Sequence, residues 1–92
     1  SMPNPSSQIL DVGCGRGELC FMLAKQGIPV FGIDYSFASI KLCNELKRLL
    51  PPTEQRLVRF EKMDIVKKRI PLSDSSFDII YFLDVIEHLT ET

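Results

Sequence analysis

Three glycines at alternating positions, Gly13, Gly15 and Gly17, follow the apolar run Ile9-Leu10-Asp11-Val12, with Asp11 two residues before the first of them. Glycine accepts positive φ and has no Cβ, so such a turn lets a ligand lie directly on the backbone. The N–H groups that open the next helix have no intrahelical partner and face that ligand. A strand, a glycine turn and a helix in this order make a nucleotide cradle. Asp34 lies 21 residues beyond Gly13, at the end of a second apolar run. Nucleotide-binding folds place an acid there to accept both ribose hydroxyls. Toward the end of the chain, Asp84, Glu87 and His88 fall at i, i+3 and i+4, a helical face on which two carboxylates and an imidazole can meet a divalent metal. His88, the only histidine, is also a candidate general base for a substrate hydroxyl.

The glycine spacing narrows the ligand. A dinucleotide fingerprint G-x-G-x-x-G needs glycine where this chain has Glu18, which weighs against a nicotinamide-dependent dehydrogenase, and no Walker pattern is present. The run from Asp11 through Gly13, Cys14, Gly15 and Gly17 instead resembles motif I of the class I S-adenosylmethionine (SAM)-dependent methyltransferases. The stretch Pro71-x-x-Asp74-x-x-Phe77-Asp78, leading into Asp84-Val85-Ile86-Glu87-His88-Leu89, resembles the subgroup that includes ubiquinone-pathway O-methyltransferases.

That resemblance implies a set of cofactor contacts. Asp11 would meet the α-ammonium of SAM and the glycine-loop amides, one of which an aspartate inside an apolar strand needs. Asp34 would hold the ribose, and Tyr35 would lie against the adenine face. Asp64 would accept the adenine amine, with the Ile65 amide serving the ring nitrogen, and Leu83 and Asp84 would contact the methionine end. The resemblance names no acceptor, although an Asn/Asp-Pro-Pro-Tyr motif after the fourth strand is missing, which disfavours DNA adenine methylation. A cluster similar to Asp84, Glu87 and His88 chelates magnesium in small-RNA 2′-O-methyltransferases. Here its first member is Asp and the further histidine of that site is absent from the chain, so no metal centre is expected. A non-catalytic module of the same fold, binding a protein partner, is the rival from another class.

The elements that must position these residues follow from periodicity. Gln8 to Val12 reads as a buried parallel strand. Arg16 to Gln26 carries Leu19, Met22 and Leu23 at helical spacing, closed by Gly27. Pro29 to Ile33, closed by Asp34, is a second strand. Ser36 caps a second helix through about Leu50 with a buried stripe of Phe37, Ile40, Cys43 or Leu42, Leu46 and Leu49, ended by Pro51-Pro52. Leu57 to Met63 suits a strand near a sheet edge, Pro71 to Ser76 is a turn-rich loop, Phe77 to Leu83 is the most convincingly buried strand, and Asp84 to Leu89 opens a helix. Alternating strands and helices require right-handed crossovers and hence an α/β, Rossmann-like parallel sheet, and the resemblance gives it the partial order 3-2-1-4. The family's remaining three strands would lie beyond strand 4, leaving that edge to self-association or a protein partner.

The 92 residues make one small domain; Ser1-Met2 reads as a tag-cleavage scar, and residues 3–92 as the SAM-binding portion. Eleven basic against twelve acidic side chains give a net charge of −1 and no reason to expect nucleic acid or membrane as partner. Lys67-Lys68-Arg69 reads as a solvated loop. No apolar run approaches the roughly 20 residues of a membrane span. Cys14, Cys20 and Cys43 lack C-x-x-C spacing and read as reduced packing thiols in an intracellular, cytoplasmic protein.

Overall fold

The computed structural model describes residues 3, 4, 6–64 and 77–82. The Lys67-Lys68-Arg69 run, the loop of 71–76, the helix opening at Asp84 and the site candidates Ile65, Leu83, Asp84, Glu87 and His88 lie outside them. The described elements are β1 (Ile9–Val12), α1 (Glu18–Lys25), β2 (Val30–Asp34), α2 (Phe37–Lys47), α3 (Pro52–Gln55), β3 (Val58–Lys62) and β4 (Ile79–Tyr81). All strand pairs are parallel and the order is β3-β2-β1-β4, as the resemblance implies.

β1 and β2 form the middle of the sheet and every residue in both is buried. On one face Ile9, Val30, Val58 and Phe60 pack with Cys20, Leu23 and Ala24 of α1 and Ile40 and Cys43 of α2. On the other, Leu10, Val12, Phe31 and Ile33 form a second cluster with Met63 and Phe77. Each such aliphatic or aromatic side chain contributes about 1.5–3 kcal/mol by leaving water, so these two rows dominate the fold's stability and fix the sheet ends that carry the site.

Local chemistry sets the helix limits. Gly17, at φ 79°, stands at the N-cap of α1. At its other end Gly27 takes φ 79°, its amide donating to the Ala24 carbonyl and that of Ile28 to the Leu23 carbonyl, both at 3.0 Å. This is the paired closure that a left-handed glycine makes possible. α2 starts at Ser36, whose hydroxyl accepts the Ser39 amide at 3.2 Å.

Three expectations are corrected. The buried stripe of α2 is narrower than its sequence suggests: Ile40 and Cys43 are buried, but Phe37 is 67% and Leu49 81% exposed, and Leu42 is exposed too. Phe37 occupies the first helical position, directly beyond the end of β2, and Leu49 falls after α2 has ended at Lys47. Met22 of α1 is likewise exposed. Pro51-Pro52 does not merely stop a helix, because Pro52 opens the short α3, where its fixed φ suits a first helical position that needs no N–H. Finally, β4 is the least buried strand rather than the most, with Ile80 45% exposed and Phe82 also exposed. Among the described strands it has only β1 as a neighbour.

Candidate functional site

Beyond Val12 the chain hooks onto β2. The amides of Gly13 and Cys14 both donate to the Ile33 carbonyl, at 2.8 and 3.0 Å, and the Gly17 amide closes the turn onto the Cys14 carbonyl at 2.8 Å. Gly13, Gly15 and Gly17 all take positive φ, 77°, 55° and 79°, a region costly for residues with a Cβ. The turn therefore passes over the carboxyl ends of β1 and β2, where parallel sheets bind ligands. α1 opens from Gly17 without a side-chain cap, a helix start compatible with an anionic group.

Asp34 is tied into this turn. Its Oδ2 accepts the Gly15 amide at 2.8 Å and its Oδ1 the Ser36 amide at 2.9 Å. Although it ends a strand, Asp34 is only 5% exposed. A carboxylate has about four acceptor positions, so two amides leave capacity for hydroxyl donors. Tyr35, next in the chain, is 65% exposed at the same end of the sheet. Asp64 follows β3 by two residues and is partly buried.

Asp11 is buried within β1, and the Cys20 thiol lies 3.5 Å from its Oδ2. The amides of Gly13 and Cys14 donate to the Ile33 carbonyl, that of Gly15 to Asp34 and that of Gly17 to the Cys14 carbonyl. The sheet register explains the thiol contact: Asp11 is level with Gly32 on β2, and Gly32 with Phe60 on β3. A Cβ on Gly32 would come within 2.9 Å of Phe60 Cδ1, 3.0 Å of Cys20 Sγ and 3.1 Å of Cys14 Cβ. Gly32 and Cys20 were not singled out for the site by sequence; the available signal was a glycine inside an apolar strand, which marks a close approach.

The three cysteines line the underside of the turn, all buried and unbridged. The Cys43 thiol donates to the Gly15 carbonyl at 3.3 Å. A hydrogen bond between the Cys14 and Cys43 thiols pushes the pKa of Cys14 up, with burial adding to it, and holds that of Cys43 down. Burial, then the charge of Asp11, pushes the Cys20 thiol up. Cys20 is thereby kept protonated and able to donate.

At the opposite, amino ends of the strands, a groove is lined in part by Gln8, Phe31 and Arg59. There the Arg59 guanidinium lies 4.2 Å from the Phe31 ring centroid and binds Glu61 at 2.7 Å. This groove is remote from the glycine turn. No helix among the described residues is long and apolar enough to cross a membrane.

Comparison with known proteins agrees with this geometry. Residues 3–92 match the family described as "Methyltransferase domain". The chain is 31% identical over 87 residues to a ubiquinone biosynthesis O-methyltransferase of Histophilus somni, covering 91% of this chain and 35% of that protein. It is 40% identical over 88 residues to phosphoethanolamine N-methyltransferase 1 of Zea mays, covering 95% and 16%. A TehB-like SAM-dependent methyltransferase from Corynebacterium glutamicum superimposes with a TM-score of 0.65 at 28% identity, over 89% of this chain and 40% of that one. The chain thus spans about a third or less of the length of these curated relatives.

Proposed function

Because this chain belongs to the class I SAM-dependent methyltransferases, we propose that its 92 residues are the cofactor-holding portion of an enzyme that methylates an oxygen or nitrogen of a small molecule. The observation that supports this most directly is the 2.8 Å bond from the Gly15 amide to Asp34 Oδ2. It brings the glycine turn and the ribose acid into one unit at the carboxyl edge of the sheet.

The assignments follow from the likeness to that family, supported for Asp34 by its tie to the glycine turn. Gly13, Cys14, Gly15 and Gly17 form the backbone surface for the methionine and ribose portions, Asp34 accepts the ribose hydroxyls, and Tyr35 stacks on adenine. Asp64, with the Ile65 amide, reads the adenine edge. Asp11 faces the α-ammonium, and Leu83 and Asp84 extend the contact at that end. Bound SAM supplies an activated methyl group on a good leaving group. The chain's own contribution is to bind and orient it, and holding reactants in line is the larger part of such catalysis.

The test is calorimetric titration of the chain with SAM, S-adenosylhomocysteine and NAD. The adenosyl-sulfur ligands should bind and NAD should bind more weakly. Equal or tighter NAD binding overturns the assignment.

A further inference from the structure

We propose that Cys20 is a positioning residue for the amino-acid end of the bound cofactor, its thiol setting the orientation of the Asp11 carboxylate in the space that Gly32 leaves open. This rests on the reading of Asp11 as the acceptor of the α-ammonium.

The argument begins with the sheet. Asp11 and Gly32 are register partners on adjacent parallel strands, and Phe60 is the partner of Gly32 on the next. Side chains level with one another on neighbouring strands share a face, so Phe60, position 32 and Asp11 form a row. That face is the one on which Ile9, two residues before Asp11, packs with α1 and α2. Any Cβ at position 32 would press within 3.0 Å of Cys20 Sγ. Glycine there is what lets α1 settle low enough for Cys20, fully buried, to reach Asp11 Oδ2 at 3.5 Å.

The Asp11 side chain turns about χ1 and the broad χ2 torsion, and a thiol donating to Oδ2 biases the latter, and with it the tilt of the carboxylate plane and the aim of Oδ1. Burial and the nearby Asp11 charge keep Cys20 a thiol, so the contact remains that of a donor and an acceptor. A buried thiol is an unobtrusive way to do this, since it fills the core as a small apolar group and still presents one weak donor.

The test compares two ligands. S-Adenosylhomocysteine carries the α-ammonium; 5′-methylthioadenosine keeps the adenosine and the sulfur but lacks it. Dissociation constants for both are measured with the wild-type chain and with Asp11→Asn, Cys20→Ala and Cys20→Ser. Cys20→Ala should weaken S-adenosylhomocysteine by about three- to tenfold, the size of one ordinary net hydrogen bond, a thiol being a weak donor, and leave 5′-methylthioadenosine within about twofold. Cys20→Ser, which keeps a donor, should restore most of the difference. An equal loss for both ligands, or none, overturns the proposal and returns Cys20 to plain packing. If Asp11→Asn leaves the ratio of the two affinities unchanged, the reading of Asp11 itself fails. Should Cys20→Ala not fold, the wild-type S–H stretching band that is absent from Cys20→Ser should shift on adding S-adenosylhomocysteine and not on adding 5′-methylthioadenosine. A band indifferent to both ligands overturns the proposal.

Discussion

Asp34 Oδ2 accepts the amide of Gly15 at 2.8 Å, joining residues nineteen positions apart across the carboxyl ends of β1 and β2. The acid and the glycine turn are therefore one structural unit. The turn's shape depends on the carboxylate, and the carboxylate's position depends on the turn. A second bond, from the Ser36 amide to Oδ1 at 2.9 Å, extends the unit to the start of α2.

Replacing Asp34 with alanine should thus do two things. It removes the acceptor of two backbone amides, which costs about 1–3 kcal/mol where a donor is left unmet in a buried setting. It also removes the proposed ribose acceptor, a charge-assisted contact whose loss weakens SAM binding by at least about tenfold. Thermal melting and calorimetry together check this. A variant that melts like the wild type would show that the tether contributes nothing to stability. Unchanged affinity would reduce Asp34 to a structural cap.

Gly17 and Gly27 offer a controlled comparison, since both take φ 79°. An added Cβ at Gly27 meets nothing within 4 Å, whereas at Gly17 it would lie 2.8 Å from Phe21 Cε2 and 3.0 Å from Cys43 Sγ. Gly27→Ala should cost only the backbone penalty, about 1–2 kcal/mol. Gly17→Ala should cost about 1–3 kcal/mol more through overpacking and should also impair SAM binding. Equal urea midpoints for the two variants would contradict the packing described beneath the glycine turn.

Much of this arrangement is legible in the sequence, for physical reasons. The glycine turn, the acid after β2 and the Ser36 cap are local signals, each requiring a particular residue at a particular backbone position. β3 lies at the sheet edge as its sequence suggests, with Val58 and Phe60 buried and Arg59 and Glu61 exposed. What escaped were relationships between elements. Phe37 and Leu49 sit on the right helical spacing but beyond the sheet or the helix, and spacing does not say where the underlying surface ends. Ile79 to Phe82 is apolar enough to read as a central strand, yet its burial depends on neighbours. The Asp11 and Cys20 pairing was hidden because it passes through the absence of a side chain at Gly32.

The Cys20 thiol makes stability fall at alkaline pH. Its pKa is raised in the folded chain above the ordinary thiol value of 9.0, by burial first and by Asp11 second. Above that value the unfolded chain has released the proton while the folded chain still holds it, so the unfolded state binds fewer protons and stability decreases as pH rises. Cys14 acts in the same direction and Cys43 in the opposite one. Cys20→Ser isolates the effect of Cys20: between about pH 8 and 10.5 the wild type should lose stability more steeply than the variant, by up to about 1.4 kcal/mol per pH unit. Parallel urea-midpoint profiles would contradict the assignment.

The last prediction concerns β4. Among the described strands it is paired on one side only, by β1, and Ile80 and Phe82 are exposed. An apolar strand with one neighbour is a template for further pairing, and burying one such aliphatic side chain contributes about 1.5–3 kcal/mol, a large share of the stability of a domain this small. The 92-residue chain should therefore self-associate at micromolar concentration through this edge. It should also lack methyl-transfer activity, because the relatives it matches are about three or more times its length and the role proposed for these residues is to hold the cofactor. Ile80→Lys places a charge on the exposed face at little cost to the fold and should give a monomer that still binds S-adenosylhomocysteine. Sedimentation equilibrium of the two forms decides the matter: a wild-type chain that is monomeric and transfers methyl groups to an acceptor would show both that the edge is already satisfied and that the acceptor site lies within these residues.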